Sequence, residues 1–500
     1  MKLTNDCFLE IIKNFKYDHH TLYNCLLVNR LFCRFIVPPL WANPFYNISK
    51  YSINVISIFL IYLDENEKHQ LTSQIDLSYT SIFQKTIFEY ADFLETYSNF
   101  KLRNVISSWY QCTQDISKPS LEIATLIAIQ SMLFRRCKRI TKFYILVDND
   151  ISPFPSIPIS WYYFSELREC KFKFMASNSR HCTKVYTYIN SISVFNKRIQ
   201  TIRIMDYNKV IQPYCREPLL NLISAQTKLK ELELTYYFTS NFIPFLQQKK
   251  VQTLKKLILK GIKFDNENNL KNFASNLENL SIKNFFGNPF GEGKNNLHKL
   301  QRLELEDNEI ELNRIVLNAK CESLKFFRIK ERELSNEVKE EFNLLLSLNF
   351  PNITTLCYVT DNLIFSSTLK IFKKLYELQI KGFAYYNHYY LRTIVKYLSN
   401  SLKILDLLNF DDYSYENLNF FLQDFDIVRV KLEVLILPFN IELDLLPNLK
   451  KFIEKAKYLR HIEIIQSENY NTEKQKDSKR EIIELCHVRS IKFILNVHFI

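Results

Sequence analysis

Apolar positions recur along the chain in one six-residue phrase, in which the first, fourth and sixth residues are apolar. The phrase is clear at Leu229-Lys-Glu-Leu232-Glu-Leu234. Its last three positions alternate as in a β-strand, where neighbouring side chains point to opposite faces. The phrase therefore predicts a series of short strands, each with one buried side. Clear copies begin at Leu229, Leu254, Leu277, Leu300, Leu324, Leu375, Leu402, Leu432 and Leu459, and weaker ones at Ile140, Leu167, Ile199, Ile353 and Val488.

The spacing of the copies indicates how these strands are arranged. In the middle of the chain they begin about 23 to 25 residues apart, and elsewhere the spacing is about 22 to 32 residues. Self-similarity at this period is typical of a solenoid, and a strand that reads L-x-x-L-x-L is that of a leucine-rich repeat. We therefore predict an α/β leucine-rich-repeat solenoid of about fourteen irregular repeats over residues 136–500, with parallel strands on the concave face and helices on the convex face.

The segments between the strands show the same organisation. Asn308 follows the copy at Leu300 where the repeat consensus places a turn-closing amide. Apolar residues at helical spacing predict convex-side helices at 241–248 and 416–422. The glycines of 286–296 predict a repeat loop, and the mixed charges of 467–481 predict a flexible loop.

Residues 1–45 do not share the repeat and form a separate block. Their apolar spacing predicts three short amphipathic helices, the first over 5–15, the second beginning after Asp18 and the third ending before Pro38-Pro39. So short a block cannot bury a self-sufficient core. We therefore expect it to dock on a protein partner, with a helical connector over residues 46–135 leading to the repeats.

Charge leaves two interpretations of the repeat surface open. The chain has 66 Lys and Arg against 53 Asp and Glu, which gives a formal charge of +13. The position after the phrase forms either a cationic stripe for an acidic partner or a solvated face of mixed sign, since Glu233, Glu304 and Asp406 lie beside it. Nucleic-acid binding is not favoured, because the basic residues are spread along the chain and no nucleic-acid motif accompanies them. The candidate substrate-binding residues at this position are Lys260, Lys283, Glu306, Lys330 and Lys381.

Cysteine usage and motifs argue against secretion and catalysis. The eleven cysteines are scattered without a CxxC pair, and we expect most of them to be reduced core thiols of a cytoplasmic or nuclear protein. His19-His20 is predicted to be a solvated turn, and Cys486-His487 to lie on a strand with the two side chains on opposite faces. No nucleophile–base pair, metal set or phosphate loop is recognisable, so we expect no enzyme activity, cofactor or metal. No apolar run reaches the length of a membrane-spanning helix.

The N-terminal block resembles a known family, the F-box. The resemblance is carried by LTNDCFLEII at 3–12, TLYNCLLVNRLFCRF at 21–35 and PPLWANPF at 38–45. These segments are similar to those of an expanded group of fungal F-box proteins with C-terminal leucine-rich repeats, and residues 50–140 resemble the helical connector of that group. Thr4 stands where the family usually has a proline that packs on the adaptor, so adaptor affinity is expected to be lowered.

The resemblance implies a function. F-box proteins bind the Skp-type adaptor of an SCF-type cullin–RING ubiquitin ligase, and their repeats bind the protein substrate to be ubiquitinated. The alternative is a non-catalytic leucine-rich-repeat scaffold, or a binder of nucleic acid or acidic partners, without ligase coupling. Carried over by position, the adaptor-binding residues are Leu3, Ile11, Ile12, Leu22, Cys25, Leu26, Val28, Asn29, Phe32 and Trp41.

Overall fold

The fold was described from a computed structural model of the 500-residue chain. It divides into two compact units, of which the first is formed mainly by residues 1–238 and the second mainly by residues 255–500. The described residues are 5–15, 18–46, 50–72, 86–113, 119–137, 139–147, 164–175, 179–206, 213–235, 253–262, 276–285, 297–308, 310–319, 321–331, 336–360, 369, 372–381, 396–407, 421–423, 425, 430–437, 446–467 and 473–498.

The first unit begins with helices and continues with helices and strands in alternation. Its elements are α1 (Asn5–Asn14), α2 (His19–Leu26), α3 (Arg30–Trp41), α4 (Lys50–Ile61), α5 (Glu65–Thr72), a 3₁₀ turn (Tyr90–Phe93), β1 (Thr96–Ser98), α6 (Asn99–Thr113), α7 (Pro119–Arg136), β2 (Lys142–Val147), β3 (Glu169–Phe174), α8 (Ser179–Phe195), β4 (Thr201–Asp206), α9 (Pro213–Ser224) and β5 (Glu231–Thr235). Because β1 pairs with β2 in parallel, the sheet already begins inside the range 46–135.

The second unit consists of strands and connecting helices. Its described elements are β6 (Lys256–Lys260), β7 (Asn279–Lys283), β8 (Arg302–Glu306), α10 (Ile310–Leu317), β9 (Phe326–Glu331), α11 (Asn336–Asn349), β10 (Thr355–Thr360), β11 (Glu377–Lys381), β12 (Ile404–Asp406), β13 (Val434–Leu437), α12 (Leu446–Lys455), β14 (His461–Ser467), α13 (Glu473–Val488) and β15 (Lys492–His498).

Within each unit the strands pair in parallel, in chain order and without a register shift. Leu303 lies between Leu280 and Phe327, so the fourth residue of each phrase faces the fourth residue of the next. These residues form a continuous buried ladder, which is how stacked repeats share one core. The predicted α/β leucine-rich-repeat fold is therefore confirmed. In the second unit the ladder consists of Leu257, Leu280, Leu303, Phe327, Leu356, Leu378, Leu405, Leu435 and Ile462, each no more than 1% exposed.

The turn after a strand has a recurring geometry in three successive repeats. Gly261, Asn284 and Asp307 have positive φ angles of 65°, 49° and 52°. Their N–H groups donate to the carbonyls of Lys283, Glu306 and Lys330 in the next strand, each at 2.8 Å. Glycine, asparagine and aspartate are the residues that adopt this left-handed backbone most readily. The same turn therefore recurs although the residue changes.

Asn308 closes this turn as predicted. Its side-chain amide donates to the carbonyl of Ile282 at 2.9 Å, and its side-chain oxygen accepts from the N–H of Phe285 at 3.1 Å. Both bonds reach back to the preceding repeat. The amide thus satisfies two backbone groups that the end of a strand leaves without a partner.

Several local predictions were wrong. Helix α3 continues through Pro38 and Pro39 to Trp41 instead of ending before the prolines. Both prolines lie in its last turn, and the burial of Val37, Trp41 and Ala42 holds that turn in place despite the missing N–H donors. His19-His20 begins α2 and does not form a turn.

The C-terminal repeats also differ from prediction. Residues 473–488 form helix α13 and not a loop, and Cys486-His487 lies on this helix and not on a strand. The buried Ile482 and Cys486 are four residues apart on one face, so packing outweighs the charged composition. Because Lys492 pairs with His461, the last copy begins two residues later than predicted, and Val488 is 80% exposed. The predicted helix at 241–248, the loop at 286–296 and residues 416–420 lie outside the described residues.

Candidate functional site

The first candidate surface is the three-helix block of α1, α2 and α3. Its small core contains Ile12, Leu22 and Ile36, one from each helix. Phe8 of α1 packs against Phe32 and Phe35 of α3, with ring centroids 4.4 and 5.4 Å apart. Part of the apolar spacing that predicted the helices thus holds them together, whereas Ile11 of α1 and Phe15, the residue after α1, are exposed.

Two polar side chains fix where the helices begin. Asp18 accepts hydrogen bonds from the N–H of Thr21 at 3.0 Å and from its hydroxyl at 2.7 Å, which caps α2. These hydrogen bonds hold the pKa of Asp18 below its ordinary value, and the bond from the backbone N–H has the larger effect. Asn29 caps α3 by accepting from the N–H of Phe32 at 2.9 Å. Such caps stabilise a helix by about 1 kcal/mol, and here they set the turn between α2 and α3.

The structure divides the residues predicted to bind an adaptor by their accessibility. Buried members hold the block together, whereas exposed members are free to meet a partner. Ile12, Leu22 and Trp41 are buried, and Cys25, Leu26 and Phe32 are half-buried. Ile11, Val28 and Asn29 are exposed. Leu3 lies outside the described residues.

Trp41 is buried by the elements that follow the block. Its ring centroid lies 4.4 Å from that of Tyr90 and 5.6 Å from that of Phe59 in α4. Only 8% of the residue is exposed. Trp41 therefore anchors α3 to the rest of the first unit.

An apolar surface remains on the block. Ile11 and Val28 are 44% and 58% exposed, and Leu27 and Leu31 beside Val28 are 78% and 51% exposed. Sequence reasoning missed Leu27 and Leu31. Leu27 directly follows α2 and Leu31 lies in the first turn of α3, so both leucines belong to the junction between the two helices. Adjacent exposed aliphatic side chains of this kind mark interaction sites more often than chance.

The second candidate surface is the open face of the second unit, formed by the strand residues that alternate with the buried ladder. The register places Lys260, Lys283, Glu306 and Lys330 side by side on β6 to β9. Val359 of β10 follows at the same position, and then Lys381 of β11. The structure therefore brings all five predicted residues into one row, with one valine between them.

Glu306 makes this row one of mixed sign. It forms ion pairs with Lys283 and, at 3.5 Å, with Lys330, which also lies 3.2 Å from Asp307. Burial by itself would raise the pKa of Glu306, but Lys283, Arg328 and Lys330 together hold it below its ordinary value. The carboxylate therefore stays ionised between its cationic neighbours.

Arg328 lies in the middle of the same face, two residues before Lys330. Its Nε atom is buried and has no hydrogen-bond partner. The neighbouring Arg302 lies over the ring of Phe326, 3.5 Å from the centroid. The planar guanidinium fork is suited to bind a carboxylate or another anion through its remaining N–H groups.

Within the described ranges, neither a metal site nor a membrane-spanning helix is present. No group of three or more His, Cys, Asp or Glu residues could hold a metal ion there, and none of the helices described is long and apolar enough to cross a membrane. Five of the described cysteines are buried, and burial raises the pKa of Cys486 to about 11. These thiols behave as core side chains.

The fold and these surfaces define a leucine-rich-repeat protein with an N-terminal three-helix block. Among solved structures, the chain is similar to an internalin from Listeria monocytogenes, with 14% identity, a TM-score of 0.31, and coverage of 79% of this chain and 94% of that chain. It is also similar to the Rad7 and Elc1 complex from yeast, with 12% identity, a TM-score of 0.35, and coverage of 76% and 94%. No protein-family model and no curated protein matches the chain. The fold assignment rests on the strands and their register.

Proposed function

We propose that this protein is the non-catalytic substrate receptor of an SCF-type cullin–RING ubiquitin ligase. In this proposal the three-helix block binds the Skp-type adaptor, and through it the cullin and RING subunits. The repeats bind a protein substrate, in the cytoplasm or the nucleus.

One observation carries the proposal: the F-box-like segments form a three-helix block that leaves Ile11, Leu27, Val28 and Leu31 exposed. An isolated aliphatic surface of this kind is expected to be covered by a partner. The open face of the second unit is available for a second partner. A receptor that joins an adaptor to a substrate needs both surfaces.

Co-expression of the full chain with a Skp-type adaptor tests the proposal. The wild type is expected to co-purify with the adaptor. Val28→Asp places a charge beside the exposed Leu27 and should weaken binding by more than about 2 kcal/mol, as expected for an important interface residue. Affinity is measured by titration calorimetry.

The matched control is Val488→Asp, the same substitution at an 80% exposed valine of α13 in the other unit. It should leave adaptor binding unchanged. Trp41→Ala is unsuitable as a contact test, because Trp41 is buried against Phe59 and Tyr90 and its loss would remove packing inside the first unit. Equal binding by Val28→Asp and wild type, or no complex with a folded wild type, would refute the ligase role.

A further inference from the structure

The open face of the second unit changes character along the sheet. On β6 to β9 it carries six cations and two carboxylates, a local excess of four positive charges. The cations are Lys256, Lys260, Lys283, Arg302, Arg328 and Lys330, and the carboxylates are Glu304 and Glu306.

Further along, the same face carries aliphatic side chains beside the polar residues Asp406, His461 and Glu463. Ile404 of β12 lies opposite Val434 of β13, and Ile436 lies two residues beyond Val434. All three alternate with the buried ladder and are half-buried, as is Ile494 of β15. The part of each aliphatic side chain that faces water is buried only when a partner covers it.

The two regions are connected by the register. Arg328 lies in one row with Cys357, Gln379, Asp406 and Ile436, so that each strand contributes one residue. Four strand spacings separate Arg328 from Ile436, which is about 19 Å. An extended peptide covers that distance with about six residues.

We infer that this face binds an extended segment of a partner protein that has acidic side chains at one end and aliphatic side chains about six residues away. The acidic side chains pair with Arg328 and its neighbouring lysines, and the aliphatic side chains cover Ile404, Val434 and Ile436. The inference rests on the proposed function in one respect: the partner is the ligase substrate only if the protein is a ligase receptor.

The fixed carboxylates decide between a protein and a nucleic acid. A phosphate backbone repeats its charge at every nucleotide, so phosphates would lie against Glu304 and Glu306, both in the middle of the cationic region. A peptide carries only a few carboxylates and can place them on the β10 side of Arg328, away from Glu304 on β8. The far end offers isoleucine and valine and not the aromatic rings on which bases stack.

The test is a selection of peptides displayed from a random library of about sixteen residues, long enough to span both regions, against the purified full chain. Enriched peptides are expected to contain clustered Asp and Glu about six residues from Leu, Ile or Val. Arg328→Met keeps the aliphatic stem and removes the charge, and Ile436→Asp makes the far end polar. Each should weaken an enriched peptide by about tenfold.

Matched substitutions lie outside the face. Lys325→Met removes an exposed charge from the turn before β9, and Val488→Asp alters an exposed valine; both should leave peptide affinity unchanged. Thermal unfolding checks that each variant is folded. If Arg328→Met does not fold, Lys330→Gln is used in its place.

A selection without enrichment, peptides without the acidic and aliphatic pattern, or equal affinity for Arg328→Met would overturn the inference. Binding of an oligothymidine probe would also overturn the inference, if Arg328→Met weakens that binding and no peptide binds the same face. Since the selection contains no adaptor, its outcome is independent of the adaptor titration, and either proposal can fail alone.

Discussion

At the scale of the residue, single polar side chains determine how one repeat joins the next. Asn308 bonds to two backbone groups of the preceding repeat. In the first unit, Gln226 does the same with different geometry: its side-chain oxygen accepts from the N–H of Ile199 at 3.0 Å, and its amide donates to the carbonyl of Asn196 at 2.9 Å. Both side chains replace backbone pairing that the strands cannot supply.

Asn308→Ala should therefore destabilise the second unit by about 1–3 kcal/mol, because the buried N–H of Phe285 loses its acceptor. Urea unfolding followed by circular dichroism measures the change. Asn318→Ala, at an exposed asparagine after α10, is the matched control and should change stability little. Equal stability of the two variants would show that the amide bonds contribute nothing.

At the scale of the element, neighbouring strands are joined by their charges as well as by their backbones. Glu306 of β8 lies between Lys283 of β7 and Lys330 of β9. Lys403 and Glu433, which directly precede β12 and β13, form a similar pair at 2.8 Å. Such pairs are partly exposed and each contributes little, but they connect successive repeats along the sheet.

The low pKa of Glu306 gives these pairs a pH dependence. Its pKa is lower in the folded state than its ordinary value of 4.5, so ionisation favours folding. This contribution is present above that value and is lost as the pH falls through the lower, folded pKa. We expect the free energy of unfolding to fall more steeply with acid in the wild type than in Glu306→Gln.

Unfolding by urea between about pH 6 and pH 3 measures this difference. The exposed Glu484 of α13 provides the control, and Glu484→Gln should follow the wild-type curve. If the curves of Glu306→Gln and wild type run parallel throughout, Glu306 does not couple folding to pH.

At the scale of the whole molecule, stability is distributed along the repeats. Each buried ladder residue contacts its neighbours in the adjacent strands, and contacts between distant repeats are not needed. A defect in one repeat should therefore remain local.

Leu303→Ala tests this property, because Leu303 is fully buried in β8 and its truncation should cost about 2–5 kcal/mol. Hydrogen exchange is expected to accelerate in β7, β8 and β9 and to stay unchanged in β1 to β5. Leu344→Ala, at a 58% exposed leucine of α11, should change exchange little. Uniform acceleration in both units would contradict the local model.

The repeat follows from the order of the amino acids alone. Apolar side chains that alternate as in a strand, and recur at a regular spacing, are buried together when the strands stack in parallel. Thirteen of the fourteen predicted copies coincide with a strand in the predicted frame. The helices of the N-terminal block were predictable for the same reason, since Ile12 and Leu22 lie on the faces that the spacing indicated.

Tertiary structure decided what local signals leave open. Packing of Trp41 against Phe59 and Tyr90 carries α3 through its prolines, and burial of Ile482 and Cys486 forms a helix from a charged segment. It also decided which residues can meet a partner: Trp41 is buried, whereas Leu27 is exposed. Spacing identifies the apolar side chains of an element, but burial depends on what the rest of the chain places against them.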